Sequence, residues 1–200
     1  MRKLFVLIIA LISTWQASFA QTDGEVRYSR FKVELNPAYY ALGGYSIRGF
    51  YVAPKQWSYS LQFEAGFDIP DFARDAFFDD NEAIDVRWDF LVAFETRYRF
   101  NKENYDKGFY AQASIGYEGW TVEPVNGTGE DEFTNWFSSV GIGYTWYPFK
   151  KKRFHLGGTY NVIFILNNTD TRTVNEVEYN IQRVIPPSAL PTSIYVGWRF

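Results

Sequence analysis

Residues 85–100 read DVRWDFLVAFETRYRF, and the alternation within this run decides the fold. Val86, Trp88, Phe90, Val92, Phe94, Tyr98 and Phe100, interrupted only by Thr96, occupy one set of alternate positions. Asp85, Arg87, Asp89, Glu95, Arg97 and Arg99, with Leu91 and Ala93, occupy the other. Successive side chains of a strand point to opposite faces, so a period of two held this long predicts one long β-strand. A helix would scatter the aromatics around its circumference. The usual globular strand has about 5–6 residues, whereas crossing a bilayer at a tilt takes about 9–11. The run is long enough to span, with its aromatics toward lipid and its charges toward the inside of a small barrel.

Composition sets the outer bounds. A chain of 200 residues with 20% aromatic and 46% hydrophobic residues supports one large packed domain. A net charge of −3 and an isoelectric point near 5.3 leave no polyanion footprint, so nucleic acid is not an expected partner. The absence of Cys excludes a disulfide framework, a thiol nucleophile, a cysteine metal cluster and a lipoprotein-type anchor. Mean hydropathy is only −0.27, the value of a soluble protein. Strand alternation conceals membrane character from such averages.

Residues 1–20 read as a secretory signal peptide. Arg2 and Lys3 supply the positive start, residues 4–12 the apolar region, and Ser18-Phe19-Ala20 the cleavage site. Residues 21–200 then form the mature domain. Alternation predicts strands over residues 29–40, 45–53, 58–68, 85–100, 108–118, 134–147, 153–166 and 192–200. Pro37 cannot donate a ladder bond and predicts a bulge or local break in the first strand. After the second strand the connections run short, long, short, long, short, long. The short ones are 54–56, 101–107 and 149–152; the long ones, 69–84, 123–132 and 167–190, include two acidic loops. Within the last, residues 171–185 have strand character, with Val177, Tyr179 and Ile181 alternating, and predict a protruding two-stranded arm with an exposed edge.

Eight strands joined in this rhythm predict an all-β, antiparallel up-and-down transmembrane barrel, with long loops outside the cell and short turns in the periplasm. The chain ends Ile194-Tyr195-Val196-Gly197-Trp198-Arg199-Phe200. This ending resembles that of the small eight-stranded outer-membrane β-barrel proteins of Gram-negative bacteria, the OmpX/OmpA type. The resemblance covers the mature chain at the level of architecture, although the short first connection departs from the usual long first loop. It implies localisation in the bacterial cell outer membrane, among outer-membrane lipids and lipopolysaccharide. It also implies that Ile194, Val196, Trp198 and Phe200 form the signal read by the outer-membrane assembly machinery.

A soluble lipocalin-like barrel also has eight strands, with the apolar face inward. Glycine placement favours the membrane form: Gly66, Gly116, Gly141, Gly143, Gly157 and Gly197 fall on the polar face, whereas Gly49, Gly119 and Gly158 do not. Small residues there make room for long polar side chains in a narrow interior. The inward set is then Lys32, Glu34, Arg48, Glu64, Asp68, Asp85, Arg87, Asp89, Glu95, Arg97, Arg99 and Glu118, with Arg199. Near balance of sign predicts a salt-bridged, hydrated network filling the lumen, and this reading prevails over a gated pore because eight strands leave little space.

His155, the one histidine, could act as a general base, as in lipid-modifying barrel enzymes. One such family has a Ser two residues on, but position 157 is Gly. A histidine at the periplasmic end is also far from the outer leaflet. Asp79-Asp80-Asn81-Glu82 lacks the spacing of a calcium loop and reads as a solvated tip. Lys150-Lys151-Lys152-Arg153 suits anionic headgroups or a soluble turn. Asn126-Gly127-Thr128 matches a glycosylation pattern of little meaning in a bacterial export context. No catalytic, metal or cofactor site is expected. The function expected is non-enzymatic, a structural or surface role through the loops with an unidentified ligand; a narrow channel comes second and a lipid-modifying enzyme third.

Overall fold

Antiparallel ladders join each barrel strand to the next and the last to the first, so the sheet closes. The computed structural model describes residues 29–79, 83–102, 107–149, 153–167, 170–186 and 194–200; the expected signal peptide, the tip 80–82 and the basic run 150–152 lie outside them. β1 (Phe31–Leu35) pairs with β2 (Tyr45–Val52), and β2 with β3 (Trp57–Asp68). A two-residue strand, β4 (Phe78–Asp79), follows, and β3 pairs past it with β5 (Ile84–Arg99). β5 pairs with β6 (Gly108–Pro124), β6 with β7 (Asp131–Trp146), and β7 with β8 (Phe154–Ile165). Three short strands come next: β9 (Arg172–Val174), β10 (Val177–Ile181) and β11 (Val184–Ile185). Finally β12 (Ile194–Arg199) pairs with both β8 and β1. The result is a closed eight-stranded antiparallel barrel of up-and-down order.

The first strand is shorter than residues 29–40 because Asn36-Pro37 starts a helix there. Asn36 Oδ1 accepts from the Ala38 amide at 3.1 Å, and Pro37 occupies the first turn of α1 (Pro37–Ala41), where its missing donor costs nothing. The expected break is therefore a helix, which swings Tyr39 into the mouth of the barrel, where it is buried.

β5 fulfils its alternation over only part of its 16 residues. From Phe90 to Phe100 the even-numbered side chains point out and Leu91, Ala93, Glu95, Arg97 and Arg99 are buried. At Asp89 the register against β6 shifts by one residue. Opposite it on β3, Gly66 has φ +71°, a conformation that glycine takes without steric cost. Both strands turn over at this level. Beyond it Val86, Trp88 and Phe67 are buried, and Asp85, Arg87 and Asp68 face out. A bulge adds one residue to one strand, and one residue inverts every later side chain.

Below the bulge the outer wall is apolar, with Leu61, Phe63, Phe94, Ile115, Val140, Ile142 and Tyr160 among its exposed side chains. The ten steps from Phe90 to Phe100, at about 3.3 Å each and a tilt of about 40°, give a band about 25 Å tall, the height of an outer-membrane barrel's apolar belt. Inward glycines make room for large side chains. A Cβ on Gly143 would lie 2.3 Å from the Tyr110 ring, one on Gly157 2.2 Å from Tyr195, and one on Gly197 2.2 Å from His155. Apolar outside and polar inside is the construction of outer-membrane barrels, the reverse of a soluble one. Gly66 alone of the six does not face in; it is the pivot of the bulge.

Gly157→Ala is expected to lower stability in urea unfolding by about 1–3 kcal/mol, the cost of overpacking against Tyr195. Gly49→Ala, whose added Cβ meets nothing within 4 Å, is expected to stay within about 0.5 kcal/mol.

Candidate functional site

The lumen is filled in two layers of opposite chemistry. The lower layer lies toward the short connections, hereafter the turn end, and centres on Glu34 and Arg97. β1 carries Lys32 and Glu34 on its inner face, and β5 carries Glu95 and Arg97. Arg97 Nη1 and Nη2 donate to the two Glu34 oxygens at 3.2 and 3.1 Å, and Arg97 Nε donates to Glu95 Oε1 at 2.6 Å. Lys32 Nζ donates to Glu34 Oε1 at 2.7 Å. His155 Nε2 lies 3.0 Å from that same oxygen. Facing a carboxylate, that nitrogen must carry the proton. Lys32, Glu34, Arg97 and His155 are each 1% exposed or less. The flat guanidinium of Arg97 is sandwiched by rings, with centroids 4.2 Å away for Phe50, 4.6 Å for Tyr110 and 5.1 Å for Tyr195. The two tyrosines share a 2.9 Å hydroxyl contact, and Thr159 and Thr145 complete the chain at 3.1 and 2.9 Å.

Above this knot, Arg48 bridges Glu64 at 3.6 Å and Glu95 at 3.7 Å. Beside it lies a cavity of about 60 Å³ that Gln62, Gln112, Ser114, Ser139, Thr159 and Asn161 help to line. Arg48 Nε and Gln112 Oε1 find no protein partner; the chamber is polar and has room for a few waters. At the turn end Arg99 ties down the β2–β3 turn through the carbonyls of Ala53 at 3.0 Å and Trp57 at 3.1 Å, and of Lys55. Arg199 Nε donates to Ser29 O at 2.7 Å.

Lys32, Glu34, Arg48, Glu64, Glu95 and Arg97 are thus brought into one network, with Arg99 beneath it and Glu118 buried above. Asp68, Asp85, Arg87 and Asp89 are not lumen residues. The inversion at Gly66 and Asp89 puts them outside, where Arg87 Nε donates to Asp89 Oδ1 at 2.8 Å and Thr121 Oγ1 to Asp89 Oδ2 at 2.6 Å. Tyr110 and Tyr195 belong to the lumen site although the sequence did not single them out; their even and odd positions beside Gln112 and Gly197 were the available signal. Ile194 and Trp198 face outward and exposed at the end of the chain, and Phe200 joins β1 through its amide to Phe31 O at 3.2 Å.

The upper layer is apolar. The first long connection folds back over the mouth as α2 (Asp71–Arg74) and β4; the expected solvated tip falls on 80–82, outside the described residues. Arg74 donates to Ile84 O and to Asp71 and lies 3.2 Å from Asp85, which pins α2 to β5. Phe77 and Phe78 then pack on Trp88 and Trp120, whose rings stack 4.9 Å apart at 8°. Tyr39, Phe67 and Tyr179 close the edges. The expected protruding arm, residues 171–185, lies down on this cap. β10 pairs with β9 on one side and β4 on the other, so the first and last long loops are sewn into one three-stranded sheet, with Tyr179 and Ile181 buried beneath. β11 continues the barrel wall along β8.

A clasp holds the arm down. Arg172 donates through Nε and Nη2 to the two Asp131 oxygens at 2.7 Å each, Tyr179 OH donates to Asp131 Oδ2 at 2.6 Å, and Arg172 lies over the Phe133 ring at 4.7 Å. Arg172 holds the Asp131 carboxyl below its ordinary range, against partial burial. Burial, then the bond to Asp131, push the Tyr179 hydroxyl upward. Among the described residues no three acidic or histidine side chains converge to hold a metal ion.

No family model matches the chain, and no curated protein matches it. Among solved structures it is similar to the N-terminal β-barrel domain of Pseudomonas aeruginosa OprF, with 12% identity, 87% of this chain and 100% of that chain covered, and a TM-score of 0.41. The barrel itself is defined by the strand registers above, independently of that likeness.

Two predictions follow from the layers. Arg97→Ala would strand Glu34 and Glu95 in the lumen and is expected to cost about 3–5 kcal/mol in urea unfolding. Asp131→Asn weakens a charged clasp worth about 1.5–3 kcal/mol, less than the several buried aromatics beneath it at about 1.5–3 kcal/mol each. The arm should therefore loosen without lifting: faster hydrogen exchange at residues 172–181, with unchanged exchange in β5 and β6. Because the folded carboxyl of Asp131 titrates below its unfolded value near 4, the clasp is complete at neutral pH and fades as the pH falls below about 4.

Proposed function

We propose that this protein is a bacterial outer-membrane barrel that neither conducts nor catalyses, and that acts through the outer surface of its folded loops. The observation that carries this reading is the double closure of the lumen. A solute entering from the turn end meets Arg97, Glu34 and three rings at under 4% exposure, and one entering from the loop end meets stacked Trp88 and Trp120. Among the described residues both layers are closed by buried side chains. The apolar band would sit among outer-membrane lipids and lipopolysaccharide, with the loops outside the cell and the turns in the periplasm. Ile194, Val196, Trp198 and Phe200 would be read by the assembly machinery before the barrel closes.

The channel reading requires both layers to move. The enzyme reading requires His155 to reach substrate, yet it is fully buried against Glu34 in the lower layer, with glycine at position 157. With the turns in the periplasm, as proposed, His155 would lie away from outer-leaflet lipid. The described outer surface at the loop end carries exposed Asp68, Asp71, Asp75, Asp85, Glu123, Glu130 and Glu178, which suits a surface-interaction role.

Purified, refolded protein in planar bilayers is expected to give no steady ion-conducting openings; regular openings would establish the channel instead. Deletion of Phe200 is expected to lower the amount of assembled protein at the cell surface several-fold, and normal surface levels would remove the assembly-signal assignment. Lipid A mass spectra from cells with and without the protein should coincide, since any reproducible mass change would mean chemistry on that lipid.

A further inference from the structure

Charge is sorted along the barrel axis as well as across its wall. At the loop end, residues 68–89, 119–134 and 166–193 hold fifteen Asp and Glu against four Arg and no Lys. At the turn end, residues 29–31, 53–57, 100–109 and 147–154 hold eight Lys and Arg against two acids. Among the described residues of the turn end, Arg30, Lys55, Lys102 and Arg153 are exposed and Lys107 is half-buried; the two acids, Glu103 and Asp106, fall between Lys102 and Lys107 in sequence.

The placement of these cations is regular. Four of the five lie one or two residues beyond an outward aromatic at the rim of the apolar band: Arg30 next to Phe31, Lys55 next to Trp57, Lys102 next to Phe100, and Lys107 next to Phe109. Those four rings are 43–63% exposed. They stand on β1, β3, β6 and the end of β5, and Arg153 opens β8, so the pattern runs around the barrel and not along one side. Aromatic rings of this kind settle at the level where acyl chains meet headgroups. Long cationic side chains just beyond them lay their stems along apolar surface and carry the charge to phosphate depth.

We infer that this collar is a docking surface for the anionic phospholipids of the leaflet at the turn end, with phosphatidylglycerol as the representative headgroup. The inference rests on the membrane reading above and names the lipid that one rim of the barrel selects. Charge complementarity argues for that occupant: the collar attracts a headgroup of net negative charge more strongly than a zwitterionic one, whose phosphate is offset by its own amine. The loop end, with its excess of acids, repels the same lipid. Each cation near an anionic surface contributes about fivefold in partition, so five around one rim make a marked preference.

The test is competition between brominated phosphatidylglycerol and brominated phosphatidylcholine for the barrel, reconstituted in phosphatidylcholine vesicles and read by quenching of tryptophan fluorescence. Trp57, Trp146 and Trp198 lie at the turn-end rim and are 41–50% exposed, so they report on that leaflet. The expected result is at least fivefold preference for phosphatidylglycerol at low salt. It should vanish near 1 M salt, where the screening length is about 3 Å, and fall in the double variant Lys55→Gln, Arg153→Gln. Equal quenching by the two lipids would overturn the inference, as would a preference untouched by salt. Should the variant not fold, the salt series on the wild-type chain decides alone. A chain that acquires no strand signal by circular dichroism in any vesicle contradicts the membrane reading itself. A folded barrel without preference removes only the lipid assignment.

Discussion

A guanidinium deprived of water is the constraint on which the lower half of this barrel depends. Eight strands enclose an interior only wide enough for side chains, so Arg97 cannot be hydrated by bulk solvent and must be compensated by what the strands bring inward. Glu34 supplies two parallel acceptors, and Glu95 a third. The faces of the guanidinium rest on Phe50, Tyr110 and Tyr195. Those tyrosines fit only because Gly143 and Gly157 stand opposite, and His155 reaches Glu34 only because Gly197 does. The dependence runs from missing Cβ atoms, through ring positions, to the charge network. Such a network stabilises little compared with an apolar core, but a register slip that unpaired it would leave several bare charges in low dielectric. It therefore pins the registers of the strands that carry it, β1, β2, β5 and β8.

The surroundings of the wall change at Asp89, and the construction changes with them. Below that level the outer surface is apolar and the interior carries the polar groups. Above it the outer surface carries Asp68, Asp85 and Arg87, and the hydrophobic effect drives the aromatics inward as in a soluble barrel. The strands reach this second state by two routes. β3 and β5 invert their faces through Gly66 and the bulge at Asp89. β6 keeps its alternation, and its register against β7, and changes its residues instead: the inward positions read Gln112, Ser114 and Glu118, then Trp120 and Val122. The stack of Trp88 on Trp120 is where the two routes meet.

The loops are structural because of that stack. Phe77 and Phe78 come from one connection and Tyr179 from another distant in sequence: Phe77 packs on both tryptophans, Phe78 on Trp120, and Tyr179 on Phe78. Once there, β4 and β10 can share backbone hydrogen bonds, and Asp131 can clasp Arg172 and Tyr179. Acidity in these loops is thus divided between two tasks. Asp71 and Asp131 hold arginines that fix the cap, while Asp75, Glu123, Glu130 and Glu178 remain on the surface.

Strand number, the rhythm of short and long connections, the outward aromatics of Phe90 to Phe100, and the inward positions of Lys32, Glu34, Arg48, Glu64, Glu95, Arg97, Arg99 and Glu118 were all legible in the linear chain. They follow from a period of two, which is a property of the extended backbone itself and needs no partner to be read. Asp68, Asp85, Arg87 and Asp89 were misread for the same reason: a bulge is a relation between neighbouring strands, and a side chain's face beyond it depends on pairing that no single strand contains. The contact of His155 with Glu34, 121 residues apart, and the descent of the arm onto Phe78 were likewise decided only in the closed barrel. There the gain comes from excluding water among groups that local sequence cannot bring together.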